Sequence, residues 1–329
     1  MGSATPEHRT EPPLGRLYEV GGRRLMLHRS GAGEPAVVLL AGAGLVGLDY
    51  VNLHDRVARL TTGVLYDRAG TGWSDPVELP RTAGEVTDEL RDLLAAAEVP
   101  GPYVLVGHSL GGAYARHYAQ RFPGEAAGLL LLDPTHEDFL RRAPRQVPEM
   151  LERMKSQDLP EPTEEQLQRS RDALAGHFAK WPDAVRGPLI EHHLTAWRTA
   201  WNEDKNLYTE VADELRNAPD LPDVPLIVLT ALGHDATQAH LWPEDLLREI
   251  NDMKRTIHAE LAASVPRGEQ RVLDDVGHGW MHEERPDAVL GALTDLLRAV
   301  WARRPLLPRR AAGPAGGADR HRDGAAPAR

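Results

Sequence analysis

The 329-residue chain contains no cysteine. That excludes disulfides, thiolate metal sites and a cysteine nucleophile. It also lacks a long apolar run: the most hydrophobic stretch, Val37–Leu48, is too short and too glycine-rich to span a bilayer. The first 35 residues are polar and rich in Pro, Gly and Arg, without the apolar segment of a secretory signal, so a cytoplasmic protein is expected. Positive charge is in deficit. Lys and Arg total 38 against 49 Asp and Glu, a net charge of −11 that disfavours nucleic acid as a main partner. No H-E-x-x-H occurs, and Glu191-His192-His193 places three polar groups on adjacent residues, which a helix points in different directions. No metal is therefore expected. No internal repeat is present.

What the chain does have is alternation. Residues 1–15 hold Pro6, Pro12 and Pro13 and read as a loose arm. Two β-type runs follow, Arg16–Val20 and Arg24–His28, joined by Gly21-Gly22, a good hairpin turn. Ala36–Leu40 is a continuous apolar run, as in a buried parallel strand. Strands at Gly63–Tyr66, Tyr103–Val106 and Gly128–Leu132 then alternate with helical patterns at Asp49–Leu60, Ala83–Ala97 and Leu110–Arg121. This predicts an α/β fold, with a mostly parallel sheet covered on both faces. The alternation stops at 137–222, a charged, proline-punctuated helical stretch with helices expected near Glu164–Lys180 and Pro188–Arg216, read as an inserted cap. The sheet resumes at Pro225–Leu229, followed by a helix near Pro243–Ser264, a strand at Gln270–Val276 and a helix near Pro286–Val300. The core is thus 16–136 plus 223–303. Residues 304–329, rich in Arg, Ala, Gly and Pro, are expected to be a disordered basic tail.

The strongest motif is Gly107-His108-Ser109-Leu110-Gly111, followed by Gly112. By letters alone it is a tight turn of small residues. Between a strand and a helix it becomes a sharp bend that lifts the serine above the sheet and aims the free N–H groups of a helix start at it. A serine hydroxyl needs an adjacent base. Among 15 histidines, position selects His278, on a glycine-flanked loop after the last predicted strand; His282, one turn on, is the rival. A decoy also exists. Gly42-Ala43-Gly44-Leu45-Val46-Gly47 follows a strand, and Asp67 ends the next strand about 20 residues later, as in NAD-binding folds. However, two strands precede this unit, and an NAD-dependent oxidoreductase would leave Ser109 and His278 without roles. No cofactor is expected.

From about residue 16 to 302 the chain resembles the α/β-hydrolase superfamily. Tyr66-Asp67-Arg68-Ala69-Gly70-Thr71-Gly72-Trp73-Ser74-Asp75 resembles the loop after its fourth strand, Gly107–Gly112 its nucleophile elbow, Leu131-Leu132-Asp133-Pro134 the end of its sixth strand, and Val276-Gly277-His278 with Pro286 its histidine loop. The resemblance implies a serine nucleophile at Ser109 and a base at His278. The acid would be Asp235, six residues past Leu229, with Asp133 the alternative. The oxyanion donors would be the N–H groups of Leu110 and Ala43. Many relatives carry His-Gly where this chain has Ala41-Gly42, so a side chain that often braces that loop is missing. The implied activity is cleavage of a carboxylic ester, lactone or thioester in a small, partly apolar molecule. A non-catalytic receptor on the same scaffold is the alternative. Trp181, Trp197 and Trp201 lie in the cap, the last two at i and i+4. They either pack the cap onto the core or form an apolar lid over substrate. Trp73 and His108 are further candidate substrate contacts.

Overall fold

The computed structural model describes residues 11–156, 161–234 and 243–303. Asp235 and the 304–329 tail lie outside them, as do the first ten residues of the expected arm.

Eight strands form one sheet: β1 (Arg16–Val20), β2 (Arg23–Ser30), β3 (Val37–Leu40), β4 (Gly63–Tyr66), β5 (Tyr103–His108), β6 (Ala126–Leu132), β7 (Leu226–Ala231) and β8 (Gly268–Leu273). Their spatial order is β1-β2-β4-β3-β5-β6-β7-β8. β1 and β2 form the expected hairpin across Gly21 and Gly22, both at positive φ (56° and 80°), which is the backbone a tight hairpin turn requires. β2 meets β4 antiparallel, and all later neighbours are parallel. β3, β4, β5 and β7 are buried at every residue, so their apolar runs are continuous rather than alternating. β8 lies at the sheet's end and carries Glu269, Gln270 and Arg271, the half-exposed sequence expected of an edge.

Successive residues of the central strands feed two cores, one on each side of the sheet. Val38, Leu40, Leu105, Leu129, Leu131 and Val228 face one of them, with helices α2 (Ala83–Ala96) and α3 (Leu110–Arg121). Val37, Leu39, Val104, Val106, Leu130 and Leu229 face the other. That second core is closed by α1 (Val51–Val57), which precedes α2 in the chain, and by the last helix, Pro286–Trp301.

Between β6 and β7 the chain is helical, as the sequence predicts: α4 (Phe139–Arg142), α5 (Gln146–Lys155), α6 (Glu164–His177), α7 (Asp183–Thr195), α8 (Trp197–Glu203) and α9 (Glu210–Asn217). The single helix expected over Pro188–Arg216 is in fact the end of α7, then α8 and α9. The last break is built around Asn206. Its amide donates to Arg81 O, and its carbonyl accepts from both Thr209 N and Val211 N, turning the chain back onto the sheet. The stretch is fastened to both cores. Val211 and Leu215 of α9 pack with α2 and α3, while Trp181 is buried in the opposite core and donates from Nε1 to Leu48 O at 3.1 Å. After β7 come α10 (Glu244–Ala263), α11 (Met281–Glu284) and α12 (Pro286–Trp301).

Candidate active site

Ser109 sits between the last residue of β5 and the first of α3, at φ 51° and ψ −119°, a conformation that side chains other than glycine rarely take. The surroundings fix it. Ser109 N donates to Leu132 O, and Ser109 O accepts from Gly112 N and Thr135 N. The motif's glycines are steric necessities: a Cβ on Gly107 would lie 2.4 Å from Gly111 O, and one on Gly111 would lie 2.2 Å from Leu40 O.

The imidazole of His278 reaches this serine. Its Nε2 lies 2.9 Å from Ser109 Oγ, and its Nδ1 lies 2.6 Å from Asp133 Oδ2. A carboxylate only accepts, so Nδ1 carries a proton and donates to it, and in the tautomer protonated there alone Nε2 offers its lone pair to the hydroxyl. His282, the rival, is 1% exposed and stacks on Tyr50 with centroids 4.1 Å apart.

Asp133 directly follows β6, at φ 43°, and is buried. Oδ1 accepts from Ala231 N at 3.0 Å, and Oδ2 accepts from Lys254 Nζ at 2.9 Å as well as from His278. Burial pushes this carboxyl up, but the Lys254 ammonium and the His278 hydrogen bond outweigh it and hold Asp133 well below the ordinary carboxylate range. His258, pushed down to about 4 chiefly by burial, stays neutral beside it. Its Nε2 donates to Pro134 O and its Nδ1 accepts from Thr230 Oγ1, which pins the residue after Asp133. Lys254 and His258 carry no local motif. They sit on one face of α10, four residues apart, and only the fold brings that face to β6.

The loop after β3 lies against the serine: a Cβ on Gly42 would be 3.3 Å from Ser109 Cβ. Gly42 N donates to Tyr50 Oη, Gly44 N to Glu203 Oε2 and Leu45 N to Gly42 O. Among the described residues, Ala43 N–H has no partner. The brace that the Ala41-Gly42 sequence lacks comes from elsewhere. Arg68 donates from Nη1 to Ala41 O (2.7 Å), from Nη2 to Gly42 O (3.0 Å) and from Nε to Glu203 Oε1 (2.6 Å). Arg68 and Glu203 are each 3% exposed. Burial opposes the guanidinium's charge, and Glu203 more than restores it.

His108, expected to touch substrate, is instead 2% exposed with both ring nitrogens engaged. Nδ1 accepts from the Tyr50 hydroxyl at 2.7 Å, and Nε2 donates to the His278 carbonyl at 2.8 Å. Trp73, also expected there, is 8% exposed and stacks on His192 at 5.6 Å. Trp197 and Trp201 are half-buried on α8. Trp197 lines an apolar cavity of about 560 Å³ with Leu167, Leu174, His193 and Leu194, and Arg198 covers its ring at 4.3 Å.

A family model described as the alpha/beta hydrolase family matches residues 37–292. The chain belongs to the alpha/beta hydrolase family. Solved alpha/beta hydrolase structures superpose on most of it. A meta-cleavage product hydrolase from Pseudomonas fluorescens IP01 shares 15% identity at a TM-score of 0.57, covering 87% of this chain and 98% of that one. An enol-lactonase from Burkholderia xenovorans LB400 shares 18% at 0.57, covering 86% and 99%. An esterase from Thermogutta terrifontis shares 20% at 0.53, covering 86% and 98%. At these identities the likeness is one of fold. Among curated sequences, the uncharacterized protein YqjL of Bacillus subtilis is 34% identical over 111 residues, 34% of this chain and 44% of that protein. YbdG of the same organism is 26% identical over 121 residues, 36% and 37% respectively. The chain thus spans less than half the length of these curated relatives.

In this chain the glycine pattern at Gly42, Gly44 and Gly47 is engaged by the protein's own groups. Its Gly44 and Gly47 N–H groups are spent on the carboxylates of Glu203 and Asp67, and Asp67 is buried, where a ribose could not reach it. Among the described residues, no cluster of three or more His, Asp or Glu side chains forms a metal site, and no helix is long and apolar enough to cross a membrane.

Proposed function

We propose that this hydrolase cleaves a carboxylic ester, lactone or thioester through an acyl-enzyme, with Ser109 as nucleophile, His278 as general base and Asp133 as the acid. The supporting observation is the continuous line from Ser109 Oγ to His278 Nε2 to Asp133 Oδ2, at 2.9 and 2.6 Å. Asp133 takes the part that the sequence reading assigns first to Asp235, because it fills the acceptor position at His278 Nδ1.

Ser109 Oγ attacks the carbonyl carbon as its proton passes to His278 Nε2, and Asp133 stabilises the imidazolium. The oxyanion forms against the Leu110 and Ala43 N–H groups, each such donor worth roughly 3 kcal/mol of transition-state stabilisation. The C–O or C–S bond breaks and the leaving group takes the proton from His278. Water then attacks the acyl-enzyme, again losing its proton to His278, and Ser109 is released. The helices between β6 and β7 act as the lid that selects a small, partly apolar substrate.

Fluorophosphonate labelling tests the nucleophile: the adduct should map to Ser109 and vanish in Ser109→Ala. A panel of chromogenic esters, lactones and thioesters, blanked with Ser109→Ala, tests the reaction. Stoichiometric binding without turnover across the panel would replace the enzyme by a receptor on the same fold.

A further inference from the structure

We propose that Arg68 and Glu203 form a positioning pair that sets the direction and polarity of the oxyanion donor Ala43 N–H; this rests on the serine hydrolase reading above. The geometry concerns three consecutive peptide groups. The 41–42 peptide is held at both ends, its carbonyl by Arg68 Nη1 and its N–H by Tyr50 Oη. The 43–44 peptide is held by Glu203 Oε2 on Gly44 N–H at 2.9 Å. The peptide between them, Gly42 C=O to Ala43 N–H, is held by Arg68 Nη2 on its carbonyl at 3.0 Å. A peptide is planar, so fixing the carbonyl fixes the N–H on its opposite side. A cation on the carbonyl oxygen also draws electron density from the amide and strengthens that N–H as a donor.

Glu203 has two tasks on two oxygens: Oε1 takes Arg68 Nε and Oε2 takes Gly44 N–H. It therefore orients the guanidinium and the loop together. Glu203 belongs to α8, in the insertion, whereas Arg68 follows β4 and the loop follows β3. Ala200, one turn earlier on α8, packs against Gly44, where an added Cβ would come within 2.9 Å of it. The insertion is thus joined to the anion-stabilising element by a buried ion pair and a direct contact, and a displaced α8 would leave the donor unaimed.

The test compares the unaltered protein with the charge-neutral double variant Arg68→Met/Glu203→Leu on a p-nitrophenyl ester. An alkylboronic acid serves as a probe that forms a tetrahedral adduct on the serine. A positioning role predicts a kcat at least about 100-fold lower with KM within threefold, and a boronate affinity reduced by a similar factor. A folded double variant with kcat and boronate affinity within threefold of the unaltered protein overturns it. Should the double variant not fold, Glu203→Gln is measured with kcat taken per fluorophosphonate-reactive site: a loss of about tenfold or more is expected, and a kcat within threefold of the unaltered protein overturns the proposal. Absence of Ser109-dependent turnover in the unaltered protein would instead strike the hydrolase reading itself.

Discussion

The ring of His108 donates from Nε2 to the main-chain carbonyl of His278 at 2.8 Å. The residue before Ser109 therefore holds the loop that bears His278. The same ring accepts from Tyr50, whose hydroxyl accepts from Gly42 N, so one chain of hydrogen bonds links the loop after β3, the elbow and the histidine loop. His108→Ala should lower kcat by about tenfold or more, because mispositioning of a reacting group by an ångström is costly. Steady-state kinetics with an ester substrate checks this, and an unchanged kcat would show that the loop keeps its place without the bond.

The acid can be decided by two substitutions. Asp133→Asn should cut kcat by about 10³- to 10⁴-fold, since an amide at that place favours the wrong imidazole tautomer. Asp235→Asn should leave kcat within threefold. The reverse pattern would move the acid to the segment after β7.

Lys254 shares Asp133 Oδ2 with His278. Removing that ammonium takes away the leading charge that holds the Asp133 carboxyl below the ordinary carboxylate range, so that carboxyl should rise. The acid limb of kcat/KM for Lys254→Met should accordingly move to higher pH. Superimposable profiles for the two proteins would mean that the ammonium exerts no hold on the relay.

Acid should destabilise the fold before the carboxylates titrate. Burial, as the leading cause, pushes His117, His136 and His258 down to about 4, with Arg121 and Arg116 adding to the effect at the first two. Unfolded, each takes a proton near pH 6.5. Between 6.5 and 4 the unfolded chain binds more protons than the folded one, so stability is complete above 6.5 and falls as the pH drops. At its steepest the loss is at most about 4 kcal/mol per pH unit for three groups. Urea unfolding at half-unit steps from pH 7 to 4 measures it, and a flat midpoint would contradict the burial.

Gly111→Ala should be among the most damaging small changes in the molecule. The methyl group would sit 2.2 Å from Leu40 O and 2.6 Å from Ala41 O, both main-chain atoms that cannot swing aside. The elbow must shift against β3, and ester turnover should fall by at least about 100-fold together with a lower Tm. Normal labelling of Ser109 in this variant would show that the turn has more slack than its contacts allow.

The alternation of strands and helices was legible because each buried strand is an unbroken apolar run, and because Gly21-Gly22 and Gly107–Gly112 mark backbone that only small residues permit. Ser109 and His278 were legible from their places at the ends of such runs; the structure brings their side chains to 2.9 Å. Legibility stopped where partners are far apart in sequence. Arg68 stood inside a recognised loop, but nothing local ties it to Glu203, 135 residues away. Lys254 is one charge among many on a helix, distinguished only by what β6 presents to it. The stretch Pro188–Arg216 reads as helical throughout, and of the two breaks inside it the one at Asn206 depends on a hydrogen bond to Arg81 that no local pattern announces.

The carboxylate that touches His278 directly follows β6, next to Leu131 and Leu132, which face the sheet's two cores, and comes before the insertion begins. In the proposed relay the serine, the carboxylate and the imidazole stand just past β5, β6 and β8, and α10 reaches the same point through the ammonium of Lys254, so a shift of that helix would be felt at the imidazole without any change in the three residues themselves.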